Sequence, residues 1–233
     1  MSRYDILAFG AHADDVEIGM GGTIAKVVQK GYTVGICDLT EADLSSNGTV
    51  EIRKQEADKA GEILGITERF NLQFPDRGLL KTEKKIAKVA EVIRNYRPKL
   101  VFAPYEVDRH PDHGNCAAIV EEAVFSAGIR NYMPDTHSHK IQRLHYYMIN
   151  GFHKPDFVVD ISEYIDTKLD ALRCYRSQFM KLADEVETPL NNGYIESVEA
   201  RERLFGKEAG VQYAEAFKTK QPILINEDLL NGS

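Results

Sequence analysis

Short apolar runs alternate with amphipathic stretches along the first half of the chain. The apolar runs predict buried strands, which are expected at 4–10, 33–39, 70–74 and 99–104. The stretches between them carry apolar residues at helical spacing and predict helices at 19–30, 50–64, 82–96 and 116–126. This alternation predicts an α/β fold, Rossmann-like and doubly wound, in which helices cover both faces of a mostly parallel sheet.

The second half of the chain predicts a less regular series of elements, at 141–149, 156–161, 162–180, 194–208 and 223–225. The first two and the last are strand-like, and the others are helical. Ser162 is expected to be the N-cap of the long helix that ends near Met180. No linker, repeat or composition break is visible, so we expect one domain over 1–233, with about 163–233 covering the active site.

The composition of the chain limits the kinds of molecule that the protein is expected to bind. The chain has 233 residues and a formal net charge of −7, which argues against nucleic acid and anionic membranes, since both are bound by basic patches. No apolar run approaches the roughly 20 residues of a membrane-spanning helix. Cys37, Cys116 and Cys174 are scattered and form no CxxC pair, so a thiolate zinc site is not expected. We therefore expect a cytoplasmic protein that acts on a small molecule.

Three polar residues, His12, Asp14 and Asp15, follow the first predicted strand. Ligands of open α/β sheets bind at the carboxyl ends of the strands, where a turn often holds phosphate on backbone N–H groups. Two carboxylates would repel a phosphate and attract a cation, so this turn predicts half of a metal site. The structural alternative is that Asp15 caps the following helix and His12 is a buried, hydrogen-bonded imidazole.

A second polar run, DRHPDH at 108–113, follows the fourth predicted strand. The carboxyl ends of parallel strands meet at one edge of a sheet, so we expect the two runs to lie close together. A catalytic zinc site typically has three N or O ligands from the protein and an open position for water. We therefore predict that His12, Asp15 and His113 bind one zinc ion per chain, although the same donors also suit iron(II).

The other polar residues of these runs predict the proton chemistry. Asp14 directly precedes the predicted ligand Asp15, so its side chain is expected to point differently from the ligands. It is therefore free to act as general base toward the water. His110 lies three residues before His113, and its protonated form is the candidate for oxyanion stabilisation. Asp112 either fixes the tautomer of the His110 imidazole through a hydrogen bond or caps the following helix. Tyr194 follows an Asn-Asn-Gly turn. Either its hydroxyl reaches the carbonyl group of the substrate, or Tyr194 is an aromatic residue of the core.

The motifs AHADDVE at 11–17 and HPDH at 110–113 resemble those of the LmbE-like (PIG-L) zinc-dependent N-deacetylases of N-acetylglucosaminyl conjugates. The family pattern is usually AHPDDE. Here Ala13 replaces the proline, and Val16 separates the second aspartate from Glu17. Neither departure removes a metal-binding or catalytic group.

The resemblance implies a reaction, a substrate and a further residue. It implies that a zinc-activated water deacetylates N-acetylglucosaminyl-malate in bacillithiol biosynthesis, with Asp14 as the base. It places Arg53 in the substrate pocket, where a guanidinium suits a sugar hydroxyl or a carboxylate. The alternative for Arg53 is an exposed residue paired with nearby glutamates. The resemblance also implies a homo-oligomer, with a hexamer as one candidate.

Other functions remain open at this point. An amidase of a larger thiol-sugar conjugate, and a broader deacetylase of N-acetylglucosamine or chitooligosaccharides, would use the same residues. A nucleotide-binding α/β module is disfavoured because the glycine fingerprint is absent and two aspartates occupy the turn. A non-catalytic zinc protein is disfavoured because a spare carboxylate and a spare histidine flank the expected ligands.

Overall fold

One sheet of seven strands organises the computed structural model, which describes residues 4–181 and 186–223. The strands are β1 (Ile6–Gly10), β2 (Val34–Thr40), β3 (Glu68–Phe74), β4 (Leu100–Pro104), β5 (Arg143–Tyr147), β6 (Phe157–Asp160) and β7 (Ala214–Lys218). Their order across the sheet is β3-β2-β1-β4-β5-β7-β6. The first five are parallel, and β7 pairs antiparallel with both β5 and β6. The predicted mostly parallel sheet is confirmed.

Helices cover both faces of this sheet. They are α1 (Asp15–Gln29), α2 (Val50–Leu64), α3 (Glu83–Tyr96), α4 (Pro111–Gly128), α5 (Ile165–Arg173), α6 (Arg176–Phe179) and α7 (Tyr194–Ala209). Side chains alternate along β1, so Ile6 and Ala8 enter one apolar cluster while Leu7 and Phe9 enter the other. The doubly wound, Rossmann-like architecture follows from these two cores. Within the described ranges, no helix has the length and apolar character needed to cross a bilayer.

The strand order reverses at the centre of the sheet. β1 lies between β2 and β4, so the crossover through α1 leaves toward one side and the later crossover through α4 continues on the other. The loops that follow β1 and β4 therefore diverge and leave a crevice at the carboxyl ends of these strands, which is where α/β sheets bind ligands. Both polar runs of the sequence begin at this crevice.

Two helices begin earlier than their apolar periodicity predicts. Helix α1 begins at Asp15 rather than at residue 19, and α4 begins at Pro111 rather than at 116. In both cases the polar motif itself forms the first turn, and a polar first turn carries no apolar periodicity. The N-cap of α1 is Asp14, so the alternative that Asp15 caps this helix is wrong.

The prediction for the long helix after Ser162 is also wrong. The structure has two helices, α5 and α6, and the N-cap of α5 is Tyr164. The Ser162 hydroxyl instead donates to the Asp160 carboxylate, and it accepts the backbone N–H of Tyr213 at 3.1 Å, which ties it to the neighbouring chain segment. The last strand of the described chain is β7, and the strand predicted at 223–225 lies almost entirely outside the described residues.

Candidate active site and metal centre

A cavity of about 460 Å³ opens at the crevice between the ends of β1 and β4. Every predicted site residue except Asp112 lines it, so the structure brings the two polar runs, Arg53 and Tyr194 together. Residues 188–190 and Tyr194 form part of its wall. A segment of the C-terminal part therefore borders the site.

The Asp15 carboxylate is fixed at the centre of the site. Its Oδ2 accepts the backbone N–H groups of Ala11 and His12, both at 2.9 Å, which holds the carboxylate against the end of β1. Burial raises the pKa of Asp15, but the neighbouring His113 and His12 outweigh burial and hold it well below its usual value. This carboxylate is therefore ionised and oriented before any ligand arrives.

Two histidines face Asp15, and each has a second carboxylate behind it. His113 Nε2 lies 3.1 Å from Asp15 Oδ1, and His12 Nδ1 lies 3.6 Å from Asp15 Oδ2. On the far side of the rings, His113 Nδ1 lies 3.0 Å from Asp108 Oδ1, and His12 Nε2 lies 3.2 Å from Asp76 Oδ1. Metal-binding histidines commonly have such a carboxylate on the nitrogen that is not a ligand.

The residues present fit a divalent metal ion. Imidazole nitrogens of His12 and His113 lie 3.6 and 3.1 Å from oxygens of the Asp15 carboxylate, and these donor types suit zinc as well as iron(II). Burial lowers the pKa of His113, but Asp15 and Asp108 outweigh burial and raise it to about 9. The carboxylates around His113 therefore favour a positive charge at this position, as a site for a cation requires.

Among the described residues, two groups of possible metal ligands bring their ligand atoms within 4.8 Å of one another: His12 with His110 and His113, and His12 with Asp76 and Asp112. Neither group includes Asp15. The first lacks a carboxylate, and the second offers a single imidazole. Asp15 lies close to the imidazoles of His12 and His113 in two separate pairs, so the ligand set of His12, Asp15 and His113 stays a prediction.

Asp14 has a left-handed backbone conformation, with φ of 108°. This conformation is uncommon for a residue other than glycine and marks a sharp turn. It directs consecutive carboxylates apart, so that Asp15 lies under the strand end while Asp14 lines the cavity and lies 3.3 Å from the Arg53 guanidinium. Burial raises the pKa of Asp14 to about 7, even though Arg53 opposes the rise.

Arg53 is buried against the active site. Its guanidinium donates to the Ala13 carbonyl, contacts the Asp14 carboxylate and lies 5.8 Å from the centre of the Tyr175 ring. Its Nε has no hydrogen-bond partner among the described residues. The alternative of an exposed arginine paired with glutamates is wrong, since the residue is only 4% exposed.

His110 is the N-cap of α4. Its Nδ1 accepts the backbone N–H of Asp112 at 3.3 Å, so the neutral ring carries its proton on Nε2. Burial, followed by the nearby His12 and His113, lowers the pKa of His110. These contacts favour a neutral imidazole with an N–H donor, which corrects the expected protonated form.

The Asp112 carboxylate lies elsewhere than expected. Its Oδ2 accepts the Arg77 backbone N–H at 2.9 Å and lies 3.8 Å from His12 Nε2. Within the described parts of the chain, no hydrogen bond joins this carboxylate to the His110 ring. The expectation that Asp112 orients His110 through its side chain is therefore corrected: the backbone N–H of Asp112 does so. Its expected alternative as helix N-cap is also wrong, since His110 holds that position.

Tyr194 is the first residue of α7 and lines the cavity. Its hydroxyl lies 3.0 Å from Asn150 Oδ1 and 3.2 Å from the Ile149 carbonyl, so it donates to the opposite wall. Burial raises the pKa of Tyr194 and keeps the hydroxyl protonated. The structure thus places Tyr194 at the site, with its proton shared with that wall.

Sequence reasoning missed Asp108, Asp76 and Asn150. Asn150 donates its backbone N–H and its side-chain amide to Asp108, at 3.0 and 2.9 Å, and so fixes the carboxylate behind His113. Asp108 belongs to the DRHPDH run and Asp76 follows β3, so the strand-end argument applied to every carboxylate would have found both. No signal in the sequence marks Asn150.

Comparison with known proteins adds a family to this geometry. Residues 7–124 match the model of the GlcNAc-PI de-N-acetylase (PIG-L) family. The chain belongs to the PIG-L family. The predicted resemblance is therefore confirmed, and the chain is assigned to a family of N-deacetylases.

Relatives of this PIG-L chain cover most of its length. Diacetylchitobiose deacetylase of Thermococcus kodakarensis is 31% identical over 91% of the chain and 82% of the relative. A probable N-acetyl-alpha-D-glucosaminyl L-malate deacetylase 2 of Bacillus cereus is 28% identical over 82% of the chain and 91% of the relative. A solved structure, that of a conserved protein from Thermus thermophilus, has a TM-score of 0.88 and 39% identity, covering 95% of this chain and 97% of that one.

Proposed function

We propose that this PIG-L protein is a zinc-dependent hydrolase that removes the acetyl group from an N-acetylglucosamine conjugate. The observation that carries the proposal is the cavity in which His12 and His113 converge on Asp15, with Asp14 and Arg53 beside them. A protein that only binds a neutral ligand would not need so many ionisable side chains in one cavity. Amide hydrolysis, in contrast, needs a cation site, a base and a hydrogen-bond donor.

His12, Asp15 and His113 are proposed to hold the metal. When bound, zinc supplies Lewis-acid chemistry that activates water and polarises a carbonyl near neutral pH. Asp76 and Asp108 fix the imidazole rings through their outer nitrogens. The chain thus orients all three ligands before the metal binds.

Asp14 is proposed as the general base. Its carboxylate lines the cavity next to the ligands, and Arg53 stabilises the ionised form that burial disfavours. Asp14 takes the proton of the attacking water at a carboxylate oxygen and can return it to the leaving amine. His110 is proposed to donate its Nε2–H to the oxygen of the acetyl carbonyl, where charge develops. Tyr194 is proposed to add a second donor once its hydroxyl turns from Asn150 Oδ1 toward the carbonyl oxygen.

The proposed substrate is N-acetylglucosaminyl-malate, an intermediate of bacillithiol biosynthesis. A second cavity of about 460 Å³ shares Ile149, Asn150 and Tyr194 with the first and extends it outward. Arg109 lines both cavities, is exposed, and forms no hydrogen bond or ion pair with any residue in the described ranges. A guanidinium at this junction suits the carboxylates of an anionic aglycone such as malate. The malate deacetylase relative supports the same choice.

A second candidate is the deacetylation of a neutral disaccharide. The relative from Thermococcus kodakarensis is named for diacetylchitobiose, and the outer cavity has room for a second sugar. This candidate needs no cation at position 109. Amidase activity on a larger thiol-sugar conjugate would also use the outer cavity, so substrate charge and size separate the three.

Arg109→Ala is expected to raise KM for N-acetylglucosaminyl-malate about tenfold, because a charge-assisted contact to a carboxylate contributes about 1.5–3 kcal/mol. Turnover should change little, and KM for diacetylchitobiose should stay constant. Free-amine release from both substrates and from N-acetylglucosamine measures this, with Arg130→Ala as the control at an exposed arginine outside the cavity. Equal effects on both substrates would remove the anionic aglycone from the proposal.

His12→Ala and His113→Ala are each expected to lose the metal, since two remaining ligands bind zinc weakly. Metal content per folded chain, measured after dialysis against a weak chelator, tests this. His137→Ala is the matched control, because His137 is exposed and outside the cavity. Full metal occupancy in either ligand variant would contradict the three-ligand site, and dominant iron in protein purified without oxygen would replace zinc by iron(II).

A further inference from the structure

Helix α1 is broken one turn after the proposed metal ligand. Met20 has a φ of −150°, outside the helical range. In an unbroken helix the Gly22 N–H would donate to the Ile18 carbonyl. Here it donates to Glu215 Oε1 at 2.8 Å, and the Thr23 N–H donates to Glu215 Oε2 at 2.6 Å. A carboxylate from β7 therefore caps the second part of α1, as an anion does at a helix N-terminus.

The carbonyl side of the same break also has a partner from a distant helix. Arg201 of α7 donates from Nη2 to the Ile18 carbonyl at 3.0 Å. The guanidinium and the Glu215 carboxylate are joined through two buried residues, because Glu202 accepts from Arg201 at 2.7 Å and Lys168 donates to Glu202 and Glu215 at 2.8 and 2.6 Å. An alternating chain of four charges thus connects the partners of the Gly22 N–H and of the Ile18 carbonyl on the two sides of the break.

Arg201 also holds the opposite wall of the active site. Its Nη1 donates to the Ile149 carbonyl at 2.6 Å, and Ile18 and Ile149 both line the catalytic cavity. Ile18 is three residues after Asp15, in the single turn that carries both proposed functional aspartates. One guanidinium therefore sets the distance between the metal-binding turn of α1 and the segment after β5.

A role in stability alone does not explain this arrangement well. Buried ion pairs are often no more stabilising than apolar residues of the same volume, because the charges lose their hydration. An unbroken α1 packed on apolar side chains would form the same layer of the fold. What the four charges add is a fixed break, and hence a fixed direction for the first turn of α1.

We propose that Arg201 and Glu215 are positioning residues of the active site, which hold the break in α1 and so orient Asp14 and Asp15. This proposal rests on the proposed roles of those aspartates as base and metal ligand. Arg201 also borders the outer cavity. The two roles can be separated, because direct contact with the aglycone would change KM, whereas positioning changes turnover and metal affinity.

Arg201→Lys tests the proposal with the positive charge retained. A compact ammonium cannot span the two carbonyls that the planar guanidinium joins. Metal affinity should fall about tenfold and turnover ten- to a hundredfold, as for other residues that orient ligands, with KM changed less than about threefold. Arg203→Lys, two positions along the same helix and exposed, is the matched control and should match the unmodified protein.

Glu215→Gln is the second variant, should Arg201→Lys fail to fold. The amide keeps the volume but offers one oxygen to two backbone N–H groups. Hydrogen exchange at Gly22 and Thr23 should therefore become about tenfold faster, together with weaker metal binding. Glu208→Gln is the matched control, because Glu208 is an exposed glutamate of α7 outside both cavities, and it should leave these exchange rates and the metal affinity unchanged.

The outcomes separate this proposal from the proposed function. An unmodified protein that binds no metal and releases no amine would overturn the proposed function, and the exchange rates of Gly22 and Thr23 would then still test the break. Folded Arg201→Lys or Glu215→Gln protein with unchanged metal affinity and turnover would overturn the positioning role, provided that His12→Ala has lost the metal. A change confined to KM in Arg201→Lys would make Arg201 a substrate contact instead.

Discussion

Asp14→Asn is expected to lower turnover about a thousandfold while the protein keeps its metal. General base catalysis typically contributes between a hundredfold and ten-thousandfold, and an amide cannot accept the water's proton. Asparagine is a better replacement than alanine, because it tolerates the left-handed conformation that Asp14 has in the turn. The loss of activity can then be attributed to the carboxylate and not to a distorted backbone.

The measurement is turnover per metal-loaded chain, with Asp135→Asn as the control at an exposed aspartate away from the site. Metal loss in Asp14→Asn with an intact fold would make Asp14 a ligand. Unchanged turnover would transfer the base role to another group of the cavity. Asp76 is the next carboxylate to test, since it also lines the cavity and lies close to His12.

Gly19→Ala is expected to destabilise the protein by about 3 kcal/mol, the upper end of typical overpacking effects. A Cβ at Gly19 would lie 2.0 Å from Cδ2 of the Tyr147 ring. The ring cannot withdraw, because Tyr147 is fully buried and its hydroxyl donates to the Phe9 carbonyl at 2.7 Å. Either α1 or β5 must move, and both α1 and the segment that follows β5 form walls of the catalytic cavity.

Gly21→Ala is the matched control two positions along the same helix. A Cβ there would first meet Lys168 Cγ at 3.4 Å, which is an ordinary contact. The gain in helix propensity is up to about 1 kcal/mol, so the free energy of unfolding should change by about 1 kcal/mol or less. Urea denaturation of both variants measures the difference. Equal stabilities would show that the close approach of α1 to Tyr147 is absent in solution.

The order of elements in the first half of the chain could be predicted from the sequence. Helix α2 has the predicted bounds, 50–64, because Thr49 caps its start and Gly65 follows its end with a φ of 69°, and both signals are local. Turn residues indicate where an element ends, and periodicity indicates which of its side chains are buried. They also located both polar runs at strand ends, which sufficed to bring the predicted ligands together.

The same local signals failed where a helix begins or ends through contacts with other segments. The first turns of α1 and α4 consist of the polar motifs, so their starts were predicted too late. Ser162 does not cap the helix predicted after it, because its hydroxyl bonds to Asp160 and to the backbone of Tyr213, and α5 begins only at Ile165. The capping propensity of a residue does not show whether its hydroxyl forms a hydrogen bond with a distant segment instead of with the helix.

By itself, the sequence determined the α/β class, the edge of the sheet that carries the site, and the residue types that converge there. Only the tertiary structure decided which groups orient them: Asp108 behind His113, the backbone N–H of Asp112 on His110, and Arg201 and Glu215 at the break in α1. The physical reason is that periodicity records burial within one element. Contacts between segments far apart in the chain depend on how the layers pack, and they leave no repeating pattern in the sequence.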